Sequence, residues 1–148
     1  VLAAGALSSA ALVAGARPVM ADTDLRLLAA IAVLNMDDAG NVGGPSAGLM
    51  FSLAVVDKLT DGNLNGGKFV AGTGTIGDDG KVGPIGGITH KMLAAREAGA
   101  TVFMVPAENC AEAVSAHLDG LGLIKVENLS GAVDALHAVS AGGEPPRC

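Results

Sequence analysis

The apolar positions of this chain change period several times, and those changes outline its elements. Residues 25–34, LRLLAAIAVL, form an apolar run that suits either a helix or a buried strand, because periodicity alone does not separate the two. After the glycine-rich NVGGP comes SAGLMFSLAVVDKLTDG, whose apolar spacing and closing Gly62 predict a buried helix. KFVAGTGTI, rich in Val, Thr and Ile, predicts a strand; DDG supplies a turn, and KVGPIGG returns as a second short strand. THKMLAAREAGA predicts a helix ending at Gly99, TVFMVP a buried strand, AENCAEAVSAHL a helix and LIKVEN a short strand. SGAVDALHAVS reads as a last helix with Ser130 as its cap, and the tail GGEPPRC is expected to fray. Helix and strand alternate through the second half, which predicts an α+β domain with a mixed sheet covered by helices.

A length of 148 residues suits one domain with a proper core and is marginal for two. Half the residues are apolar, yet the only aromatics are three Phe, so the core is built from aliphatic side chains and many Ala. The net charge of −6, with no basic stripe and no aromatic interleaving, excludes nucleic acid as a main partner. Cys110 and Cys148 are too few for a disulfide framework and lack metal-ligand spacing; one bridge or two free thiols both fit. The opening VLAAGALSSAALVAGARPVMA is uncharged until Arg17 and ends like a cleavage site. It lacks a positive start and is too rich in Ala, Gly and Ser for a spanning helix. It fits a targeting segment or an Ala-rich helix, and a start at Val1 fits a fragment of a longer chain.

Two glycine patterns mimic nucleotide sites. Gly72, Gly74 and Gly77 fall in G-x-G-x-x-G, but a hairpin turn follows where a dinucleotide site needs a helix, and the acidic position twenty residues on falls near Glu97, inside a helix. Gly62, Gly67 and Lys68 match G-x-x-x-x-G-K, but Phe69 stands where a phosphate loop needs a hydroxyl for magnesium. Neither pattern predicts a cofactor.

GGPSAG, Gly43 to Gly48, differs in kind. Pro45 sets φ at a helix start, where Ser46 meets unpaired backbone N–H groups that can receive an oxyanion. Ser46 fits a nucleophile or a simple helix cap. A serine nucleophile needs a base. His137 with Asp134 or Asp119 follows the order of a Ser-His-Asp hydrolase, but the strand such an elbow requires is replaced by DDAGNVGG, and His117 and His137 read as ordinary boundary histidines. The competing base is Lys91. A lysine accepts a proton only as the neutral amine, which calls for apolar surroundings without a carboxylate. Ile85, Ile88, Met92, Leu93, Ala94 and Ala95 are apolar neighbours in sequence; the alternative is a solvated helix lysine.

GGPSAGLMFSLAVVDKLT, followed by FVAGTGTI and GKVGPIGGITHKMLAAREAGATVFMVPAENC, resembles the proteolytic domain of Lon-type peptidases, and most closely that of ATP-independent bacterial PDZ–Lon proteins. The resemblance runs from about Asn41 to Cys110 and continues towards Ala138, with P-S-A-G and P-I-G-G-x-x-x-K in order. It implies the Lon proteolytic-domain fold, which is ribosomal protein S5 domain 2-like, over residues 41–140. An Ala-rich segment, 1–40, would precede it and a flexible tail, 141–148, would follow. It also implies a serine endopeptidase with a Ser-Lys dyad: Ser46 as nucleophile, Lys91 as general base and Thr73 supporting them. Gly44, Pro45 and Ala47 would form the oxyanion turn, and Pro84, Gly86 and Gly87 would feed the lysine helix. Many ATP-dependent members carry an acidic residue three before the serine, where this chain has Gly43, as in the PDZ-linked branch. By the same resemblance no metal or cofactor is expected, the substrates are polypeptides and the chain self-associates, as rings in many members. A PDZ domain and membrane anchor would lie upstream, outside this chain, and the location would be the cell envelope or a membrane surface, with the cytoplasm as the alternative.

Overall fold

The computed structural model describes residues 45–60 and 63–148. The expectations for the Ala-rich start, for the run 25–34 and for Gly43, Gly44 and Gly62 lie outside these residues. A single 3-10 turn, Pro45–Ala47, opens into α1, Gly48–Leu59. Then come β1 (Val70–Gly72), β2 (Thr75–Ile76), β3 (Val82–Gly83), α2 (Ile88–Glu97) and β4 (Val102–Pro106). A second 3-10 turn, Ala107–Asn109, runs into α3 (Cys110–Ser115), and β5 (Gly122–Val126) and α4 (Leu129–Ser140) complete the order.

The fold is α+β, with helices on both faces of a parallel sheet. β4 is its central strand, parallel to β1 on one side and to β5 on the other, with Val102 opposite both Val70 and Gly122. β2 and β3 form a separate antiparallel ribbon. The mixed sheet expected from sequence is therefore divided into a parallel part and an antiparallel part. The division has a local cause. The expected strand KFVAGTGTI breaks at Thr73 and Gly74, because Gly74 N–H donates to the Ser46 carbonyl at 2.9 Å and its own carbonyl accepts from Leu49 N–H at 3.0 Å. Those groups are used by the start of α1 instead of by a neighbouring strand.

A central parallel strand is covered on both faces, so it reads as an unbroken apolar run. β4 is such a run. Phe103 and Val105 point towards Ile88 and Met92 of α2, Ala113 of α3 and Leu121. Met104 points the other way, into Leu49, Leu53 and Val56 of α1 and Leu129, Ala132 and Leu136 of α4. Each fully buried Leu, Ile, Met or Phe here contributes roughly 1.5–3 kcal/mol of transfer free energy. α1 can lie close on β1 because Gly72 has no side chain: a Cβ there would stand 2.8 Å from Met104 Cβ and from Met50 Sδ. That glycine belongs to packing rather than to a cofactor loop. Gly77 of the same pattern lies in the β2–β3 turn, its N–H donating to the Lys81 carbonyl at 2.8 Å. There the backbone N–H and the ammonium of Lys81 hold the exposed Asp79 carboxyl below its usual range.

Lys68, of the second nucleotide-like pattern, donates to the Val139 carbonyl at 3.0 Å, in the last turn of α4. A cation is favoured there by the helix dipole, and Lys68 shares the Val139 carbonyl with Gly142 N–H, which donates to it at 3.2 Å. Three expectations about element ends are corrected. α3 stops at Ser115 instead of running to Leu118, because His117 takes a left-handed φ of 47° and the chain turns away. α4 is capped by Asn128 rather than Ser130: Asn128 has extended backbone and its Oδ1 accepts from Gly131 N–H at 2.8 Å, while Ser130 is already inside the helix. The tail is tied to the sheet. Ile124 and Arg147 form an antiparallel bridge, Pro146 accepts from Lys125 N–H at 3.0 Å, and Cys148 is disulfide-bonded to Cys110. Among the described residues, no helix is long and apolar enough to cross a membrane.

Candidate active site

Ser46 lies in the 3-10 turn that precedes α1, and α1 begins without a side-chain cap. Its hydroxyl is therefore not spent on capping. Instead it accepts a hydrogen bond from Lys91 Nζ at 3.2 Å, across 45 residues of sequence. The Ser46 carbonyl is held from below by two donors, Thr73 Oγ1 at 3.0 Å and Gly74 N–H at 2.9 Å. Thr73 is buried in the break between β1 and β2. Its contact is thus with the backbone of Ser46 and not with either side chain of the pair. The clamp fixes the turn on the end of β1, so the direction of the Ser46 side chain follows from the sheet.

Lys91 is carried by α2, in its second turn, and is half-buried. α2 is preceded by Gly87, which has a φ of 69°, a left-handed conformation that glycine adopts without strain. Nothing lies within 4 Å of where a Cβ would sit on Gly86 or Gly87, so these two residues shape the chain rather than fill space. Ile88 and Met92, one helical turn apart, are fully buried and define the inner face of α2. The apolar neighbours expected around Lys91 divide accordingly: Ile85 and Ala95 are half-buried, while Leu93 and Ala94 are exposed. Among the described residues no carboxylate pairs with Lys91; the ion pairs join Lys81 to Asp79, Lys125 to Glu127 and Arg147 to Glu144.

Pro45 and Ala47 flank Ser46 at the mouth of α1, with Pro45 exposed and Ala47 half-buried. Pro84 is exposed and precedes Ile85 in the segment that feeds α2. The histidines of the alternative hydrolase are placed differently. His117 Nδ1 is engaged with the Ser115 carbonyl at 2.8 Å, and His137 sits in the last turn of α4 with Asp134 exposed on the same helix. No group of His, Cys, Asp and Glu among the described residues is arranged to hold a metal ion.

Two residues at the site were not among the sequence candidates. Gly74 supplies the second donor to Ser46, and Asn109 holds the backbone of Ile85 through both of its amide atoms. Gly74 was legible only as one of many glycines. Asn109 had a signal, a polar residue three positions after an apolar central strand, but the helix expected there absorbed it.

Helices thus cover both faces of the parallel sheet, and Ser46 and Lys91 meet at 3.2 Å beside it. Comparison with known proteins defines the family. Residues 10–138 match the family of the Lon protease (S16) C-terminal proteolytic domain. The chain belongs to that family. The match begins well upstream of Asn41 and so takes in most of the Ala-rich segment. Relatives include a Lon protease of Roseiflexus castenholzii, 46% identical over 66 residues, which are 45% of this chain and 8% of that protein. A Lon protease of Geobacter metallireducens is 47% identical over the same length. Lon protease 2 of Bacillus subtilis is 32% identical over 95 residues, 64% of this chain and 17% of that protein. The matched parts thus span less than a fifth of the length of these curated relatives.

Proposed function

We propose that this chain is a serine endopeptidase unit that hydrolyses polypeptides through a Ser-Lys dyad, with no nucleotide used within the chain. Ser46 Oγ attacks the scissile carbonyl carbon while the neutral amine of Lys91 takes the hydroxyl proton. The tetrahedral oxyanion is received by backbone N–H groups at the turn that holds Ser46 and Ala47. Collapse expels the amine of the leaving peptide, which takes its proton from the Lys91 ammonium. Water then adds to the acyl-enzyme with Lys91 again as base, and the free serine returns. Self-association, an upstream PDZ domain and an envelope location belong to the same reading by resemblance to the PDZ–Lon branch.

The observation that carries this reading is the 3.2 Å contact between Lys91 Nζ and Ser46 Oγ. It is supported by the clamp on the Ser46 carbonyl and by the family match. Labelling with a fluorophosphonate and hydrolysis of labelled casein test it. Wild type should react in both assays, and Ser46→Ala and Lys91→Ala in neither, with both variants folded. Equal reaction of all three proteins would refute the dyad, and a folded wild type inert in both assays would leave a non-catalytic, Lon-like binding or assembly domain. Loss of activity in His137→Ala with Lys91→Ala still active would install the Ser-His-Asp alternative.

A further inference from the structure

The geometry points to Asn109 as the positioning residue for Lys91. The inference rests on the Ser-Lys reading and names what fixes the lysine in it. Asn109 ends the 3-10 turn that follows β4 and is only 6% exposed. Its Oδ1 accepts from Ile85 N–H at 2.9 Å, and its Nδ2 donates to the Ile85 carbonyl at 3.0 Å. Both polar backbone atoms of one residue are thereby held by one side chain, in the manner of a neighbouring strand. A primary amide offers a donor and an acceptor at that spacing without a charge and without having to hold a titratable proton.

The position of Ile85 makes the contact consequential. It stands between β3, which ends at Gly83, and α2, which begins at Ile88 and carries Lys91. Gly86 and Gly87 follow it, exposed and without neighbours that would restrain a side chain, and α2 has no side-chain cap. The inner face of α2 is held by Ile88 and Met92, but apolar packing is non-directional and tolerates small slides and rotations. The Asn109 amide adds what packing lacks, a directional tie of the feeding segment to the end of the central strand. That strand end is itself anchored, because the next residue, Cys110, is bonded to Cys148. A misplacement of about 1 Å at a reacting group costs on the order of a hundredfold in rate.

The test uses the full chain with labelled casein, and fluorophosphonate titration counts the reactive serines. In Asn109→Ala and in Asn109→Asp, which keeps the acceptor but sets a carboxylate against the Ile85 carbonyl, turnover per titrated serine should fall by about tenfold or more. KM should change less than about threefold, since substrate contacts are untouched. A merely structural asparagine would lower the number of titratable serines and leave turnover per serine alone. Turnover per serine within about twofold of wild type in a folded variant overturns the inference. Amide hydrogen exchange on the wild-type chain decides independently of how the variants fold: Ile85 N–H should be protected, and exchange at the rate of a free amide overturns it. Ser46→Ala and Lys91→Ala run in parallel. Turnover in either would refute the dyad itself, whereas two inert controls beside unimpaired Asn109 variants would refute only the role of Asn109.

Discussion

An arginine at position 91 would keep a long basic side chain and the helix, and lose the single property the proposed chemistry needs. A guanidinium does not give up its proton in proteins, so it can hold a hydroxyl but cannot take a proton from it. Lys91→Arg should therefore fold as wild type and lose about 10²–10⁴-fold in kcat on labelled casein. Thr73→Val tests the clamp rather than the pair. It removes one of the two donors to the Ser46 carbonyl while nearly keeping the shape of a buried side chain. About 1 kcal/mol of stability should go, read from thermal melting, together with a slower rate of fluorophosphonate labelling. At this scale the meeting of Ser46 with Lys91 was legible. Ser46 and Lys91 stand in short motifs whose chemistry can be argued from neighbours in sequence. The manner in which Thr73 acts was not, because a hydroxyl in an apparent strand gives no sign that its partner is a backbone carbonyl 27 residues earlier.

The elements follow from apolar period, and their ends follow from single polar groups. TVFMVP was readable as a buried strand because a parallel strand between two helical layers has no polar face. The β1–β2 break was not, since nothing within KFVAGTGTI announces that Gly74 will pair with the serine turn. The start of α4 shows the same limit. Ser130 and Asn128 are both good caps in isolation, and the choice depends on where β5 lets the chain turn. Asn128→Ala should destabilise the domain by about 1 kcal/mol, whereas Ser130→Ala should be close to neutral. Chemical denaturation of the two variants separates them: only the first should move the midpoint.

The whole molecule is closed at one end by a covalent bond that pattern reading left open. A separation of 38 residues says nothing about whether two cysteines meet. What brings them together is the pairing of the tail along β5, which is an edge strand of the parallel sheet. Cross-linking a loop of that length stabilises a domain by about 2–4 kcal/mol in the chain-entropy account. Cys148→Ser should lower the urea midpoint accordingly, and a reductant should do the same to wild type while leaving the variant unchanged.

The bond also decides where a mechanical load would travel. A pull on Cys148 enters the body of the protein at Cys110, at the foot of the central strand, and bypasses β5 and α4 altogether. In a single-molecule stretching experiment the elements between the two cysteines, α3 included, should extend only after the thiols are freed, which makes that loop a shielded segment whose release is chemical rather than mechanical.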